Sequence, residues 1–170
     1  PISIRNWIIR RLSAKYSKLL ITLLVRREAK ARSEPFLVYP LQTSPEASLL
    51  GTLPEVADQF NVIKNISMNL PFGVKLYVKE HPSDYVGAGL DYGFYKRLSA
   101  LPNVRIILGK VSLNNLLDHP QFIALVSLNG TSIIEAALKK RPVFIFGRSF
   151  YGAADCFFKP KSFEEFYQHL

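Results

Sequence analysis

Hydrophobic and polar positions alternate in blocks along most of this chain. Phe36-Leu37-Val38-Tyr39 is an unbroken apolar run, too short for a helix and rich in strand-forming side chains, and it predicts a first strand. From Glu55 to Asn69 the apolar residues Val56, Phe60, Ile63 and Ile66 recur at the spacing that lines one side of a helix. The pattern then predicts a strand over 74–79, a helix over 91–100, a strand over 104–108, a short helix over 113–117 and a strand over 122–126. A helix over 132–139, a strand over 143–146 and a last helix from about Ser162 complete the series. Strands alternating with helices at this pitch specify an α/β fold, a Rossmann-like parallel sheet with helices on both faces. Arg105-Ile106-Ile107-Leu108 and Val143-Phe144-Ile145-Phe146 are nearly continuous in apolar residues, as strands covered on both faces should be. Ligands of such sheets sit beyond the carboxyl ends of the strands. Chemistry is therefore expected in the loops at 40–54, 79–90, 109–112, 127–132 and 147–155.

The segment before the first strand has a different character. Residues 3–30 read as a helix, with Leu12, Tyr16, Leu19 and Leu23 at three- and four-residue spacing and Arg10, Arg11, Lys15 and Lys18 on the other side. Glu34-Pro35 ends the pattern. The chain divides accordingly into a basic amphipathic helix or interdomain linker at 1–34 and an α/β domain at 35–170. Charge sharpens this division. The net charge is +9, but residues 1–32 hold nine Lys/Arg against one acid, Glu28, whereas residues 33–170 hold thirteen against twelve. The folded part is thus nearly neutral, which argues against a nucleic-acid partner. The basic helix fits two uses: lying on an anionic membrane surface, or packing its apolar side on protein with the basic side in water.

The 170 residues suffice for one domain with a real core, and the apolar fraction of 48% argues against disorder. One cysteine, Cys156, cannot form a disulfide within the chain, and a reducing compartment is the simpler reading. The aliphatic run from Leu19 to Val25 is interrupted by Thr22 and falls far short of the roughly 18 residues of a spanning helix. The chain starts at Pro1 and stops inside a helical pattern, Ser162 to Leu170, so a longer parent protein, cut at both ends, is expected.

Two loops carry candidate binding chemistry. Lys79-Glu80-His81-Pro82 follows the second strand. Pro82 holds His81 extended, and residues 79 and 81, two apart, point the same way, so an ammonium and an imidazole converge as a phosphate would require. The alternative is a surface turn with a chance histidine. Ser127-Leu128-Asn129-Gly130-Thr131-Ser132 follows the fourth strand and opens a helix. Free N–H groups at a helix start attract anions, and Gly130 lets the backbone approach a ligand. The alternative is that Ser132 and Glu135 form a capping box and merely satisfy the helix. Gln42 and Glu46 in the first loop, and Arg148 after the fifth strand, are further candidate contacts for a donor or an acceptor.

Several chemistries are disfavoured. There is no Gly-x-Gly-x-x-Gly after the first strand, no Gly-Lys-Ser/Thr phosphate loop and no Gly-x-Ser-x-Gly elbow. His81, His119 and His169 lack metal-ligand spacing, and His119 and His169 read as a loop residue and an exposed helix residue.

Taken in order, Tyr39-Pro40-Leu41-Gln42 with Pro45-Glu46, Leu76-Tyr77-Val78-Lys79-Glu80-His81-Pro82, Leu101-Pro102-Asn103-Val104, Asn129-Gly130-Thr131 with Glu135-Ala136, Arg141-Pro142-Val143, and Phe146-Gly147 with Phe150-Tyr151 resemble the capsule polysaccharide biosynthesis proteins. That family includes Kdo transferases, and the chain is more distantly similar to bacterial polysialyltransferases. The resemblance covers about residues 36–155. It implies the C-terminal, donor-binding half of a two-domain GT-B glycosyltransferase. In that half His81, with Lys79 and Pro82, would approach the donor phosphate, Asn129, Gly130, Thr131 and Ser132 would receive phosphate or ribose, and Glu135 would bond ribose hydroxyls. The implied partners are a nucleotide-sugar donor, CMP-linked in the Kdo branch, a saccharide or glycolipid acceptor, and an N-terminal domain not evident in this chain. The implied location is cytoplasmic, at most peripheral to the inner membrane. The positive groups named supply the potential a leaving phosphate needs, so the reading calls for no metal or cofactor. The catalytic base is not assigned. Two other functions compete: a sugar-nucleotide epimerase of similar fold, and a non-catalytic nucleotide-sugar-binding module of a capsule assembly complex.

Overall fold

The computed structural model describes residues 19–22, 34–42, 58–81, 92–146 and 156–170. Most of the basic segment, together with Glu46, Pro82 and Arg148, lies outside the described residues.

From Phe36 onward the described elements follow the expected order: β1 (Phe36–Pro40), α1 (Gln59–Met68), β2 (Lys75–Lys79), α2 (Tyr92–Ser99), β3 (Val104–Ile107), α3 (Leu113–Leu117), β4 (Phe122–Ser127), α4 (Ser132–Leu138), β5 (Val143–Ile145) and α5 (Phe163–Gln168). The strands form one sheet in the order β3-β2-β1-β4-β5, and every pair is parallel. The order reverses direction at β1, so the helices that follow β1 and β4 lie on opposite faces and frame a crevice beyond the carboxyl ends of those paired strands.

Each strand sends alternate side chains to opposite faces, and the two faces bury separate clusters. Leu37, Tyr39, Leu76, Val78, Ile106 and Val126 pack with Ile63 and Ile66 of α1 and Tyr95 and Leu98 of α2. Phe36, Val38, Tyr77, Leu125 and Ile145 pack with Leu116 and Leu117 of α3 and Ile133 and Ala136 of α4. The sheet is therefore covered on both sides, as its apolar strands predict. A register shift between Phe36 and Leu37, opposite Phe122 and Ala124, marks an irregularity in the β1–β4 pairing. Tyr39 is fully buried and its hydroxyl has no hydrogen-bond partner, so burial pushes the phenol far above its ordinary pKa.

Local chemistry sets the helix ends. The sequence pattern starts the second-segment helix at Glu55, but α1 begins at Gln59, because Asp58 caps it by accepting from the Phe60 N–H at 3.0 Å. Ser162 caps α5 by accepting from the Glu165 N–H at 3.1 Å, and the Glu165 carboxylate reaches back to the Lys161 N–H at 2.6 Å. That helix covers the end of the sheet: Phe166 meets Phe144 edge-on at 5.0 Å, and Phe158 bridges to Phe144 along the outer strand. The outer strand is thereby shielded from open-edge pairing.

Residues 19–22 form a helical turn ahead of the sheet. Of the apolar stripe expected there, Leu19 is 57% exposed, and it is Ile21, at 6%, that enters the first cluster. Leu12, Tyr16 and Leu23, the other members of that stripe, lie outside the described residues. Among the described residues no helix is long and apolar enough to cross a membrane.

Candidate functional site

A cavity of about 660 Å³ opens at the carboxyl ends of the strands. It gathers residues from the ends of β1, β2 and β3 and from the loop between β4 and α4. Of the residues that the sequence nominates, Gln42, Lys79, His81, Asn129, Gly130, Thr131, Ser132 and Glu135 all line it. Four separate stretches of chain converge there because a parallel sheet puts the ends of all its strands on one side.

The switch point holds the most constrained part. Gln42 is 6% exposed and Gln59, at the start of α1, is 4% exposed. The Gln42 N–H donates to Gln59 Oε1 at 2.8 Å, and Gln59 Nε2 donates to the Gln42 carbonyl at 2.9 Å. This reciprocal pair fixes the chain as it leaves β1. Gln42 Nε2 then donates to the Asn129 carbonyl at 2.8 Å, and Ser127 Oγ donates to the same oxygen at 2.8 Å. A trans peptide sets N–H opposite C=O, so the Gly130 N–H is turned away from that pair. Gly130 has φ +104°, and a Cβ there would lie 3.3 Å from Gln42 Nε2. The backbone angle favours glycine, and a side chain there would also press on the Gln42 amide. Gln42, nominated as a direct ligand contact, is thus also a brace for the loop that follows β4.

The start of α4 bears on the capping box that Ser132 and Glu135 could form. Thr131, not Ser132, occupies the N-cap position, with helical φ and ψ and no side-chain capping bond. Ser132 is the first residue of the helix, so no Ser132–Glu135 capping box forms. Among the described residues, no backbone hydrogen bond takes up the N–H groups of Gly130, Thr131 or Ser132. Glu135 sits exposed in the first turn, at the edge of the cavity.

On the β2 side, Lys79 and His81 share the cavity as their spacing predicts, but they differ in exposure. Lys79 is 5% exposed, whereas His81 is open to solvent. The Lys79 ammonium donates to the Glu80 carbonyl at 3.1 Å and lies 3.5 Å from the Gly109 carbonyl. Burial lowers its pKa below the ordinary lysine value, while the carboxylates of Glu80 and Glu135 pull it back up. Glu80, which the sequence pattern does not single out, is 7% exposed. It accepts from the Gly109 N–H at 2.9 Å and from the Tyr95 hydroxyl at 3.2 Å. A buried carboxylate in a Lys-Glu-His run carries no sequence signal of burial, and only the sheet reveals it. His119 and His169 stand apart from the cavity lining, the first accepting from the Gln121 N–H at 3.1 Å and the second packing on Phe158 at 4.1 Å. Among the described residues no cluster of His, Cys, Asp or Glu could hold a metal ion.

This arrangement combines a buried ammonium, a solvent-facing imidazole, helix-start N–H groups with no backbone acceptor among the described residues, and two carboxylates, Glu80 buried and Glu135 exposed, around a single space. It can receive an anion and a hydroxyl-bearing group side by side.

The fold has solved relatives. Thermosulfurimonas dismutans KpsC, a beta Kdo 2,7 transferase, is similar with a TM-score of 0.58 and 18% identity, over 93% of this chain and 54% of that chain. The beta Kdo 2,4 transferase of the same organism's KpsC is similar with a TM-score of 0.57 and 18% identity, over 89% of this chain and 50% of that one. At such identity the likeness speaks for the fold, and this chain spans about half the length of those relatives. No curated protein matches in sequence. A family model described as capsule polysaccharide biosynthesis protein matches residues 2–155, which contain the whole sheet and its cavity, and the chain belongs to that family.

Proposed function

We propose that this chain is the donor-binding half of a glycosyltransferase that acts in capsule or surface polysaccharide biosynthesis. The observation that carries the reading is the cavity at the switch point, where Lys79 and His81 face the Gly130–Ser132 turn and Glu135 stands at the rim. In this reading the donor is a nucleotide sugar, carrying Kdo by analogy with the structural relatives and CMP-linked as the sequence resemblance implies. Its phosphate lies between the Lys79 and His81 side and the N–H groups of the turn, and its ribose hydroxyls face Glu135.

The reaction would break the bond between the sugar's anomeric carbon and the phosphate oxygen, with the electron pair leaving on phosphate. Positive groups and fixed N–H dipoles stabilise that developing charge. An acceptor hydroxyl forms the new bond and gives up its proton to a base outside this half. The family membership and the likeness to two Kdo transferases support a transferase over an epimerase.

The test is calorimetric titration of the folded chain with CMP and with UDP, repeated on His81→Ala. CMP is expected to bind more tightly. The variant should lose about 1.5–3 kcal/mol of binding, the range of a charge-assisted hydrogen bond, with little change in melting temperature. Equal affinity of variant and parent would remove His81 from the site, and no binding of either nucleotide would sink the donor reading.

A further inference from the structure

Glu80 is a buried carboxylate at a cavity wall, and both its oxygens are committed inward. Oε2 accepts from the backbone N–H of Gly109, and Oε1 accepts from the hydroxyl of Tyr95 on α2. The two oxygens therefore tie the end of β2 to the loop after β3 and to a helix on one face. Three other contacts close the same knot. The Glu80 N–H donates to Ile107 at 2.8 Å, and the Lys79 ammonium bridges the carbonyls of Glu80 and Gly109. A Cβ on Gly109 would lie 3.1 Å from the His81 carbonyl oxygen, so the two segments already touch at backbone distance.

We propose that Glu80 is a positioning residue: it holds the Gly109 loop against the Lys79–His81 segment and so fixes the cavity wall on which those two side chains are presented. Each carboxylate oxygen already holds one bond to the protein, so the group is anchored at both ends. Its burial is offset by a backbone N–H and a phenol, which together keep it in one place. Without it the Gly109 N–H loses its acceptor, and the loop is left to the longer Lys79–Gly109 contact and the backbone bond to Ile107. The ammonium and imidazole then keep their chemistry but lose their common geometry, and ligand geometry is what binding and transfer reward. The consequence for ligand affinity rests on the donor-site reading; the consequence for the loop does not.

Two readouts on the folded chain separate these levels. The first is hydrogen exchange of the Gly109 amide by NMR. In Glu80→Ala it should quicken by about tenfold or more relative to core amides, the size of one lost hydrogen bond. Glu80→Gln keeps an acceptor for Gly109 and a donor to the Tyr95 oxygen, and should restore protection. The second readout is CMP affinity well below the melting temperature, expected to fall about tenfold in Glu80→Ala and to recover in Glu80→Gln. If Glu80→Ala does not fold, Tyr95→Phe serves instead, because it frees one oxygen and should both loosen the Gly109 amide and weaken CMP by a few fold. A Gly109 amide as protected in Glu80→Ala, or in its Tyr95→Phe substitute, as in the parent would overturn the proposal. So would CMP affinity unchanged despite a freed amide. If the parent binds no CMP, the donor reading fails, and the exchange result still decides whether Glu80 holds the loop.

Discussion

Gln42 and Asn129 are 87 positions apart, yet the side-chain amide of one donates to the backbone carbonyl of the other at 2.8 Å, across the point where the sheet changes direction. Gln42 is held from behind by Gln59 of α1, and Asn129 leads into α4 on the opposite face. One bond thus joins the two layers of the fold where the cavity opens.

Substitution at this pair should show coupling. Gly130→Ala should cost about 1–3 kcal/mol through its positive φ. Gln42→Ala should cost a similar amount through a lost hydrogen bond and lost packing. Because a Cβ at 130 would press on the Gln42 amide, the double variant should lose less than the sum of the two, by at least about 0.5 kcal/mol. Urea denaturation of the four proteins measures it, and strict additivity would show that the contact carries no energy.

Glu135 is now distinguishable from a capping residue. Since Ser132 lies inside α4 and no box forms, Glu135→Gln should leave the melting temperature within about a degree or two and lower CMP affinity, as removal of an acceptor carboxylate from ribose would. Parallel thermal melts and titrations check it. An unchanged affinity would take Glu135 out of the site.

How far the sequence spoke for itself can be judged residue by residue. The order of the described strands and helices was legible because apolar period follows local geometry, and Lys79 and the Asn129–Ser132 turn could be placed at the cavity because they sit at strand ends. Gln42 was nominated, but its role as a brace needed the fold, since its partners Gln59 and Asn129 lie 17 and 87 positions away. Glu80 was passed over because charge in a loop sequence normally means exposure. Ser132 was misplaced by one position as a cap because Ser-x-x-Glu fits a box whether the helix starts before or at the serine.

Lys79 should impose a pH signature. Its pKa is lower in the folded protein than in the unfolded chain, so between those two values the unfolded state holds more proton and stability rises with pH. Lys79→Met removes this component. The stability difference in favour of the variant should therefore be widest near neutral pH and shrink toward alkaline pH, as urea midpoints at pH 7 and about 9.5 would report. An anionic ligand favours the protonated form, so CMP affinity of the parent should fall across the same alkaline range, and that fall should be missing in the variant. A constant stability difference would contradict the burial of a charged ammonium.

Catalysis should need more than this chain. The chain spans 54% and 50% of the lengths of its structural relatives, and the proposed mechanism places the acceptor and its base elsewhere. With CMP-Kdo and a saccharide acceptor supplied, residues 1–170 are expected to transfer no sugar, because positioning of both substrates accounts for much of such a rate. Product analysis by mass spectrometry checks this, and robust turnover would show that the site is whole.

The burial of Ile21 separates two boundaries that are easily confused. Every described residue around the cavity lies at or beyond Pro40, but the core that supports the sheet takes in a side chain from a helical turn ahead of β1. The smallest piece able to hold a ligand and the smallest piece able to hold its own shape are thus different pieces. A chain shortened to residue 34 would keep the described cavity lining and lose a wedge from beneath it, and the vacancy would sit under the sheet on the side where α1 and α2 pack. Anyone dissecting this protein by ligand contacts alone would cut away part of the floor on which those contacts stand.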